Sequence, residues 1–361
     1  MTRTSAGTCA RTSAGAAAAR LVFGGALAAG LLAHAQPARA QSGADFFKGK
    51  TIQFIIGYEP GTGYDLYARL LARYYGASIP GAPGVVSQNM PGAGSIKAAN
   101  YLFEVAPRDG TQVGMIGRGT PMTPLLGGKG ATFKDDASFT WIGSMNNEVS
   151  VCVAWHTSGV KTIEDAMARE LTTSATSLGA DDTTVFPAVL NAMIGTKFKW
   201  ITGYPGGSAM NLAMERGEAD GRCGWSWSSI KSTQADWLKT GKISLLLQLS
   251  LSKHPDLPNV PLIMDFAKTD EQKRVLELIF ARQVMGRPVL APPGLPPERV
   301  NVLRRAFDAT MRDKAFLAEA DKGNWEITPV SGEEIEALMK RVYATPPAVV
   351  ELAQKVTPQP K

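Results

Sequence analysis

Short apolar runs alternate with segments of helical periodicity along the chain. The runs predict strands at residues 51–57, 84–90 and 111–117, and the segments between them predict helices at about 64–75 and 95–105. The runs are apolar on both faces, which is typical of parallel strands that helices cover on either side. The first part of the chain is therefore predicted to form a βαβαβ unit.

The same order of elements recurs in the second part of the chain. Strands are predicted at residues 170–177, 197–204 and 219–225, with helices at about 183–195 and 208–216. Turns rich in small residues fall at matching places: "EPGTG" and "SLGADD" follow the two first strands, whereas "PGAGS" and "PGGSA" follow the two second strands. The recurrence predicts two α/β lobes of similar architecture.

Further strands connect the two halves. Residues 149–155 predict a strand that carries the chain between the lobes, and residues 242–250 predict another. A return strand is predicted within "RQVMGRPVLAPPG", and in the helical tail Pro297 starts a helix while Ser331 and Glu334 form a capping box. We therefore expect a hinged cleft between two lobes. The predicted division is residues 41–148 plus 268–361 for lobe 1 and residues 149–267 for lobe 2.

Residues 1–40 have the composition of a secretory signal peptide. They carry four arginines and no acidic residue, contain an apolar run at residues 21–33, and end in "ARA". A mitochondrial transit peptide is the rival interpretation, but its helix should be amphipathic, whereas this apolar run is continuous. We therefore expect export to the periplasm, with Gln41 as the first mature residue.

Removal of the signal changes the charge balance. The whole chain has 38 basic and 32 acidic residues, and loss of the four signal arginines leaves 38 − 4 = 34 basic residues, which lowers the net charge from +6 to +2. This balance gives no electrostatic reason to expect a nucleic-acid partner. The mature histidines and cysteines lack the spacing of metal ligands, so neither a metal nor another cofactor is predicted.

Two cysteines, Cys152 and Cys223, remain in the mature chain. They lie in predicted strands that can be neighbours, and the periplasm permits a disulfide. Two buried free thiols are the favoured prediction, because a free cysteine packs as a small hydrophobe.

Two short motifs resemble catalytic or nucleotide-binding signatures without matching them. "GYEPGTGYD" has two glycines of a dinucleotide fingerprint, but Leu66 stands where the third glycine belongs. "GWSWS" differs from a nucleophile elbow in its last residue, Ser228, and the next histidine, His254, lies in a loop-like segment. A small periplasmic serine hydrolase using Ser226 is therefore kept as the alternative function.

The glycine-rich turns favour an anion site made of backbone groups. A helix amino terminus offers unpaired N–H groups and a partial positive charge, and glycine lets a ligand approach the backbone. Up to four such turns could converge on one cleft, although each could also be an ordinary tight turn. Thr62 and Ser95 are expected to add hydroxyl donors, and Gly92 is expected to be sensitive to substitution by aspartate.

Three side chains near these turns have two interpretations each. Asp65 either caps its own helix or meets an ammonium or hydroxyl group of a ligand. Arg118, in "GRGTPM", is either a cationic ligand contact or a solvated loop residue. Trp225 either stacks on a planar ligand or belongs to the core.

Five segments in order resemble a known family. They are "TIQFIIGYEPGTGYDLYARLLA", "QNMPGAGSIKAANYLFEVAPRDGTQVGMI", "GYPGGSAMNLAMERGEADG", "HPDLPNVPLI" and "VLAPPGLPPERV". Together they are similar to the substrate-binding receptors of tripartite tricarboxylate transporters, the Bug-type receptors. The resemblance implies a type II-like two-lobe periplasmic-binding-protein fold, each lobe a mostly parallel sheet flanked by helices. It also implies a monomeric, non-enzymatic receptor that delivers a small carboxylate to the membrane subunits of a transporter.

The resemblance and the turns together define a set of candidate ligand-binding residues. The family holds the ligand carboxylate through loops that match residues 60–65 and 92–95 from one lobe, and through residues near 179 and 206–208 from the other. Thr62, Tyr64 and the order Tyr204-Pro205 depart from the family pattern. The full candidate set is Tyr58, Pro60, Gly61, Thr62, Gly63, Asp65, Gly92, Ala93, Gly94, Ser95, Arg118, Thr120, Gly179, Ala180, Tyr204, Gly206, Gly207, Ser208 and Trp225.

Overall fold

The computed structural model describes residues 43–177 and 181–358. The predicted signal peptide at residues 1–40 and the candidate residues Gly179 and Ala180 therefore lie outside the described residues. Among the described helices, none combines the length and the apolar character that a membrane span requires.

The strands of the described residues form two sheets. In chain order they are β1 (Thr51–Ile56), β2 (Gly84–Asn89), β3 (Gln112–Met115), β4 (Thr140–Ser144), β5 (Ser150–Trp155), β6 (Leu171–Ser174), β7 (Phe198–Ile201), β8 (Gly221–Ser226), β9 (Ile243–Leu249), β10 (Pro288–Ala291) and β11 (Val330–Ser331). The first sheet has the order β11-β4-β10-β3-β1-β2, and the second has the order β7-β6-β8-β5-β9. The predicted two-lobe α/β fold is thus confirmed.

The two sheets share one topology. In the first, β2-β1-β3 run parallel, and β10 and then β4 continue the sheet in antiparallel pairs. In the second, β7-β6-β8 run parallel, and β5 and then β9 follow in the same way. The sheets are mixed rather than mostly parallel, because the strands that carry the chain between them enter against the direction of their neighbours.

Helices cover both sheets. In chain order they are α1 (Gly43–Phe46), α2 (Gly63–Tyr75), α3 (Ile96–Glu104), α4 (Ile163–Ala168), α5 (Asp182–Ile194), α6 (Gly207–Glu215), α7 (Trp227–Thr233), α8 (Ala235–Lys239), α9 (Asp270–Phe280), α10 (Pro297–Thr310), α11 (Lys314–Lys322), α12 (Gly332–Tyr343) and α13 (Pro347–Val356). Pro297 is the first residue of α10, and Ser331 and Glu334 form the predicted capping box at the start of α12.

The chain passes from the first sheet to the second between β4 and β5, and it returns between β9 and β10. Strands from residues 51–144 and 288–331 build the first sheet, and strands from residues 150–249 build the second. The strands alone do not fix the exact residues at which each lobe begins and ends. The bounds 41–148 plus 268–361 and 149–267 therefore stay a prediction.

Cys152 and Cys223 are joined by a disulfide bond, so the prediction of two free thiols is wrong. Both side chains are fully buried. They lie on β5 and β8, which pair antiparallel with an irregular register beside Cys152. The sequence could not supply this register, which brings the two residues face to face.

Candidate functional site

A cavity of about 370 Å³ lies between loops that follow strands of both sheets. From the first lobe it is lined by the segment after β1 and the segment after β3, and from the second by the segments after β6, β7 and β8. The carboxyl ends of parallel strands are where open α/β sheets bind ligands. We call this space the main cavity.

The structure divides the predicted site residues between two cavities. The main cavity is lined by Tyr58, Gly61, Thr62, Gly63, Gly94, Arg118, Thr120, Gly206, Gly207, Ser208 and Trp225. A side cavity of about 270 Å³ is lined by Gly92, Ala93, Ser95 and Tyr204, together with Tyr58 and Gly94. Pro60 and Asp65 line neither. Of the predicted site residues, those of the turn after β1 thus lie mostly at the main cavity and those of the turn at residues 92–95 mostly at the side cavity. Among the predicted residues, Tyr58 and Gly94 line both cavities.

Asp65 is buried and stabilises the turn that precedes α2. Its carboxylate accepts hydrogen bonds from the Gly61 amide at 2.9 Å and from Arg69 Nε at 2.8 Å. The Thr62 hydroxyl caps the helix by accepting from the Asp65 amide at 3.5 Å, and it donates its own proton to the Glu59 carbonyl at 2.9 Å. Of the two interpretations of Asp65, the structure therefore shows the capping role, and the Thr62 proton already has an acceptor.

The turn at residues 92–95 has an unusual backbone. All four of its residues have positive φ, with Gly92 at 145° and Ser95 at 80°. An L-residue is strained in this region, so Gly92 serves the path of the backbone. The Ser95 hydroxyl is fully buried and has no hydrogen-bond partner within the described residues. The Ser95 hydroxyl was predicted to donate to the ligand, but it lines the side cavity and not the main cavity.

Arg118 connects the two lobes. It is buried, and its guanidinium donates to Asp182 Oδ2 at 2.8 Å, to Ser226 Oγ at 3.0 Å and to Ser150 Oγ at 2.6 Å. Burial opposes its charge, but Asp182, together with Glu148 and two nearby tyrosines, outweighs burial and raises the pKa of Arg118. The arginine lines the main cavity, and each of its three nitrogens already has an acceptor.

The amino terminus of α6 faces the main cavity without a side-chain cap. Its N-cap is Gly206, and the first backbone bond of the helix runs from the Met210 amide to the Gly206 carbonyl at 3.1 Å. The amides of residues 207–209 precede that bond and have no backbone acceptor within the described residues. Such unpaired N–H groups, together with the helix dipole, favour an anion.

Arg222 is a cavity residue that the sequence analysis missed. It lies on β8 with 8% of its surface exposed. Its Nη1 donates to Asn211 Oδ1 at 2.9 Å, and its guanidinium carbon lies 4.4 Å from the centroid of the Trp225 ring. Burial lowers the pKa of Arg222 to about 9, against an opposing effect of Asp181. The sequence did contain a sign of this role, because a charged arginine inside a strand of mostly small and apolar residues needs a hydrogen-bonding or anionic partner when it is buried.

Comparison with known proteins supports the fold. No family model and no curated protein matches the sequence. Among solved structures, the periplasmic binding protein BugD is 19% identical with a TM-score of 0.68, over 87% of this chain and 100% of that one. MatC from Rhodopseudomonas palustris, solved with bound malate, is 16% identical with a TM-score of 0.65, over 86% of this chain and 99% of the other. The chain has the fold of a periplasmic binding protein.

Two further solved structures carry the same fold. An R. palustris protein solved with adipate is 17% identical with a TM-score of 0.68, over 86% of this chain and 99% of that protein. A TctC solute binding protein from Polaromonas is 20% identical with a TM-score of 0.56, over 85% of this chain and 99% of that one. The resemblance found in the sequence is thereby confirmed at the level of the fold.

The surroundings of Ser226 in this binding-protein fold do not favour the hydrolase alternative. Its hydroxyl accepts hydrogen bonds from Arg118 Nη1 at 3.0 Å and from Arg287 Nη1 at 3.3 Å. A serine nucleophile needs a base within hydrogen-bond reach. His254 instead places its Nε2 at 3.2 Å from the Glu326 carboxylate and lines a separate pocket.

Aromatic rings form part of the cavity wall. Tyr58 and Tyr64 stack with their centroids 4.4 Å apart, and Trp225 and Trp237 meet edge to face at 6.1 Å. Burial, followed by the nearby Asp181 charge, raises the pKa of Tyr58, so its hydroxyl keeps its proton. The cavity therefore combines apolar ring surface with a few oriented polar groups, as small-molecule sites do.

Proposed function

We propose that this protein is a periplasmic solute receptor that binds a small carboxylate in the main cavity and delivers it to a membrane carrier. The observation that carries the proposal is the uncapped amino terminus of α6 at a cavity between two lobes. Unpaired amides at a helix start suit a carboxylate, because they offer it N–H donors beside the positive end of the helix dipole.

Closure of the two lobes strengthens the interaction between these amides and a bound carboxylate. Thr62 of the first lobe lies against Gly206 of the second, where an added Cβ would be 3.2 Å from Thr62 Cγ2. Arg118 reaches across the same cleft to Ser226. Two lobes that meet in this way exclude water, and an N–H group facing a carboxylate interacts more strongly where water is excluded.

The location and the partners follow from the same proposal. The predicted signal peptide directs the mature chain to the periplasm, and the names of the structural neighbours are those of periplasmic or solute-binding proteins. The receptor acts as a monomer, needs no cofactor, catalyses no reaction and hands its ligand to the membrane subunits of a tripartite transporter.

A thermal-shift screen followed by calorimetry tests the proposal. The screen contains malate, adipate, citrate, aspartate, glutamate and benzoate, with the diamide of adipic acid as a neutral control. An acid at 100 times its dissociation constant should stabilise the receptor by about 2.7 kcal/mol. If no acid raises the melting temperature more than the diamide does, the receptor proposal fails.

A further inference from the structure

We propose that Arg222 is the side chain that binds the carboxylate of the ligand and sets the specificity of the cavity for an acid. This inference rests on the proposed function and deepens it, because it names the residue and the chemical group that it recognises. Arg222 lies at the same end of the main cavity as the first turn of α6, since its Nη1 is 3.4 Å from the Gly207 carbonyl.

The first argument is the missing counter-charge. Every other buried arginine that the structure describes near this cleft contacts a carboxylate: Arg118 and Arg282 contact Asp182, and Arg287 contacts Glu148. Arg222 has no carboxylate within 4.0 Å among the described residues, and its Nε has no hydrogen-bond partner there. Leaving a buried charge without a partner is costly, so a group retained in this state points to an anion that arrives from outside.

The second argument is orientation. The Trp225 ring supports one face of the guanidinium, and Asn211 and the Gly207 carbonyl hold Nη1. These three contacts fix the plane of the group before any ligand arrives, so little side-chain entropy is lost on binding. Nε is buried, so the donor left for a ligand is Nη2, which lies beside Gly207, where an added Cβ would be 3.2 Å away.

The third argument is the convergence of two kinds of donor. The guanidinium of Arg222 lies beside Gly207, which is the first residue of α6 and carries one of its unpaired amides. A carboxylate has two oxygens and accepts from both kinds of donor at once, whereas a neutral amide offers one oxygen and brings an NH₂ group against the cation. The site should therefore discriminate strongly between an acid and its amide.

The test compares Arg222→Met and Arg222→Lys with the wild-type receptor. A matched control is Arg216→Met, which removes the same charge from the exposed end of α6, where 62% of the side chain of Arg216 is accessible. The probes are the acid of the panel that binds the wild type most tightly and its amide. We expect Arg222→Met to weaken binding of the acid by at least about tenfold, Arg222→Lys to weaken it less, and Arg216→Met to change it by less than about threefold.

If Arg222 only stabilised the fold, its replacement by methionine would lower the melting temperature and leave the affinity for the acid unchanged. Because Arg222→Met removes an unpaired buried charge, the melting temperature of the variant without ligand should equal or exceed that of the wild type. A lower melting temperature with unchanged affinity overturns the inference, and so does unchanged affinity alone. If Arg222→Met does not fold, Arg222→Lys decides, because wild-type affinity in that variant also overturns the inference. If the wild type binds no acid of the panel, the proposed function itself fails and the inference falls with it.

Discussion

Arg118 in the first lobe donates a hydrogen bond from Nη1 to the hydroxyl of Ser226 in the second lobe, over 3.0 Å. Arg287, which lies directly before β10 where the chain returns to the first sheet, donates to the same oxygen over 3.3 Å. The serine that the sequence suggested as a nucleophile is therefore an acceptor that two buried guanidiniums share. Its position between the lobes explains why a small polar residue ends β8 at this point.

Ser226→Ala should destabilise the protein without removing any enzymatic activity. The change removes the acceptor of the buried Arg118 Nη1, which costs about 1–3 kcal/mol, whereas Arg287 Nη1 keeps the Gly286 carbonyl at 2.9 Å. Urea unfolding measures the loss, and a chromogenic ester assay on both proteins measures hydrolysis. An ester-hydrolysis rate that vanishes in the variant would contradict the proposed receptor function.

Gly206→Leu should weaken ligand binding by preventing the two lobes from meeting. The φ of Gly206 is −178°, an extended value that any residue adopts, so the backbone tolerates the change. Its side chain would meet Thr62 of the first lobe, since even a Cβ comes within 3.2 Å of Thr62 Cγ2. Calorimetry should show an affinity lower by at least about tenfold.

A matched control for this change is Gly84→Leu on the exposed edge strand β2. An added Cβ there approaches only the Thr51 hydroxyl, at 4.0 Å. That variant should keep wild-type affinity. If Gly206→Leu also keeps it while remaining folded, contact between Thr62 and Gly206 is not required for binding.

Ser95→Ala separates the side cavity from the main one. The Ser95 hydroxyl is buried without a partner in the described part of the chain, so its removal should leave the unfolding free energy unchanged or slightly higher. If the acid occupies only the main cavity, its affinity should also be unchanged. An affinity loss of tenfold or more, about 1.4 kcal/mol, would place the ligand against the turn at residues 92–95 instead.

Substitution of Gly92 by aspartate is a poor probe of the same turn. The φ of 145° at Gly92 strains any L-residue, so loss of binding could reflect a misfolded turn. Thr62→Val is also ambiguous, because Thr62 caps α2 and losing a cap costs about 1 kcal/mol. Ser95→Ala has neither problem, since serine and alanine have the same backbone freedom.

Acid should weaken an ion cluster that joins the lobes away from the main cavity. Glu326 accepts from Lys231 Nζ at 2.9 Å and lies 3.2 Å from His254 Nε2. Burial works against the charge of Glu326, but the hydrogen bonds from His254 and Lys231 outweigh it and lower the pKa of that carboxyl. A lowered pKa stabilises the fold above the ordinary value of about 4.3, and this stabilisation is lost as the pH falls through the lowered value.

Urea unfolding at a series of pH values from 6 to 3 checks this expectation. The free energy of unfolding should fall more steeply below pH of about 4.3 in the wild type than in Glu326→Gln, which cannot titrate at this position. Parallel pH profiles for the two proteins would show that Glu326 contributes nothing to the acid sensitivity.

Much of the fold could be predicted because its signals are local. The apolar runs predicted nine of the eleven described strands, and only β4 and β11 were missed. Ser331 and Glu334 marked the start of α12 through groups only three residues apart. The turn before α2 was predicted in part: the capping interpretation of Asp65 was correct, but Thr62, which was expected to donate to a ligand, is the N-cap of the helix.

The missed features depend on register and on long-range packing. Arg222 faces the cavity because β8 pairs irregularly with β5, with Gly224 at a φ of 74° beside it. No local pattern specifies that irregularity, and the same shift aligned Cys223 with Cys152. The presence of two cavities is likewise a long-range feature, since Tyr58, Gly94 and Thr176, which line both, come from segments far apart in the chain.

The charges buried around the cleft do not cancel. Asp182 accepts from both Arg118 and Arg282, so one carboxylate serves two guanidiniums. With Arg287 and Arg222 the buried arginines of the described residues number four, against three carboxylates, those of Asp182, Glu148 and Asp181. This excess attracts anions from a distance that the Debye length limits to about 8 Å at physiological ionic strength. Added salt should therefore slow the association of an acid while leaving the rate of its release almost unchanged.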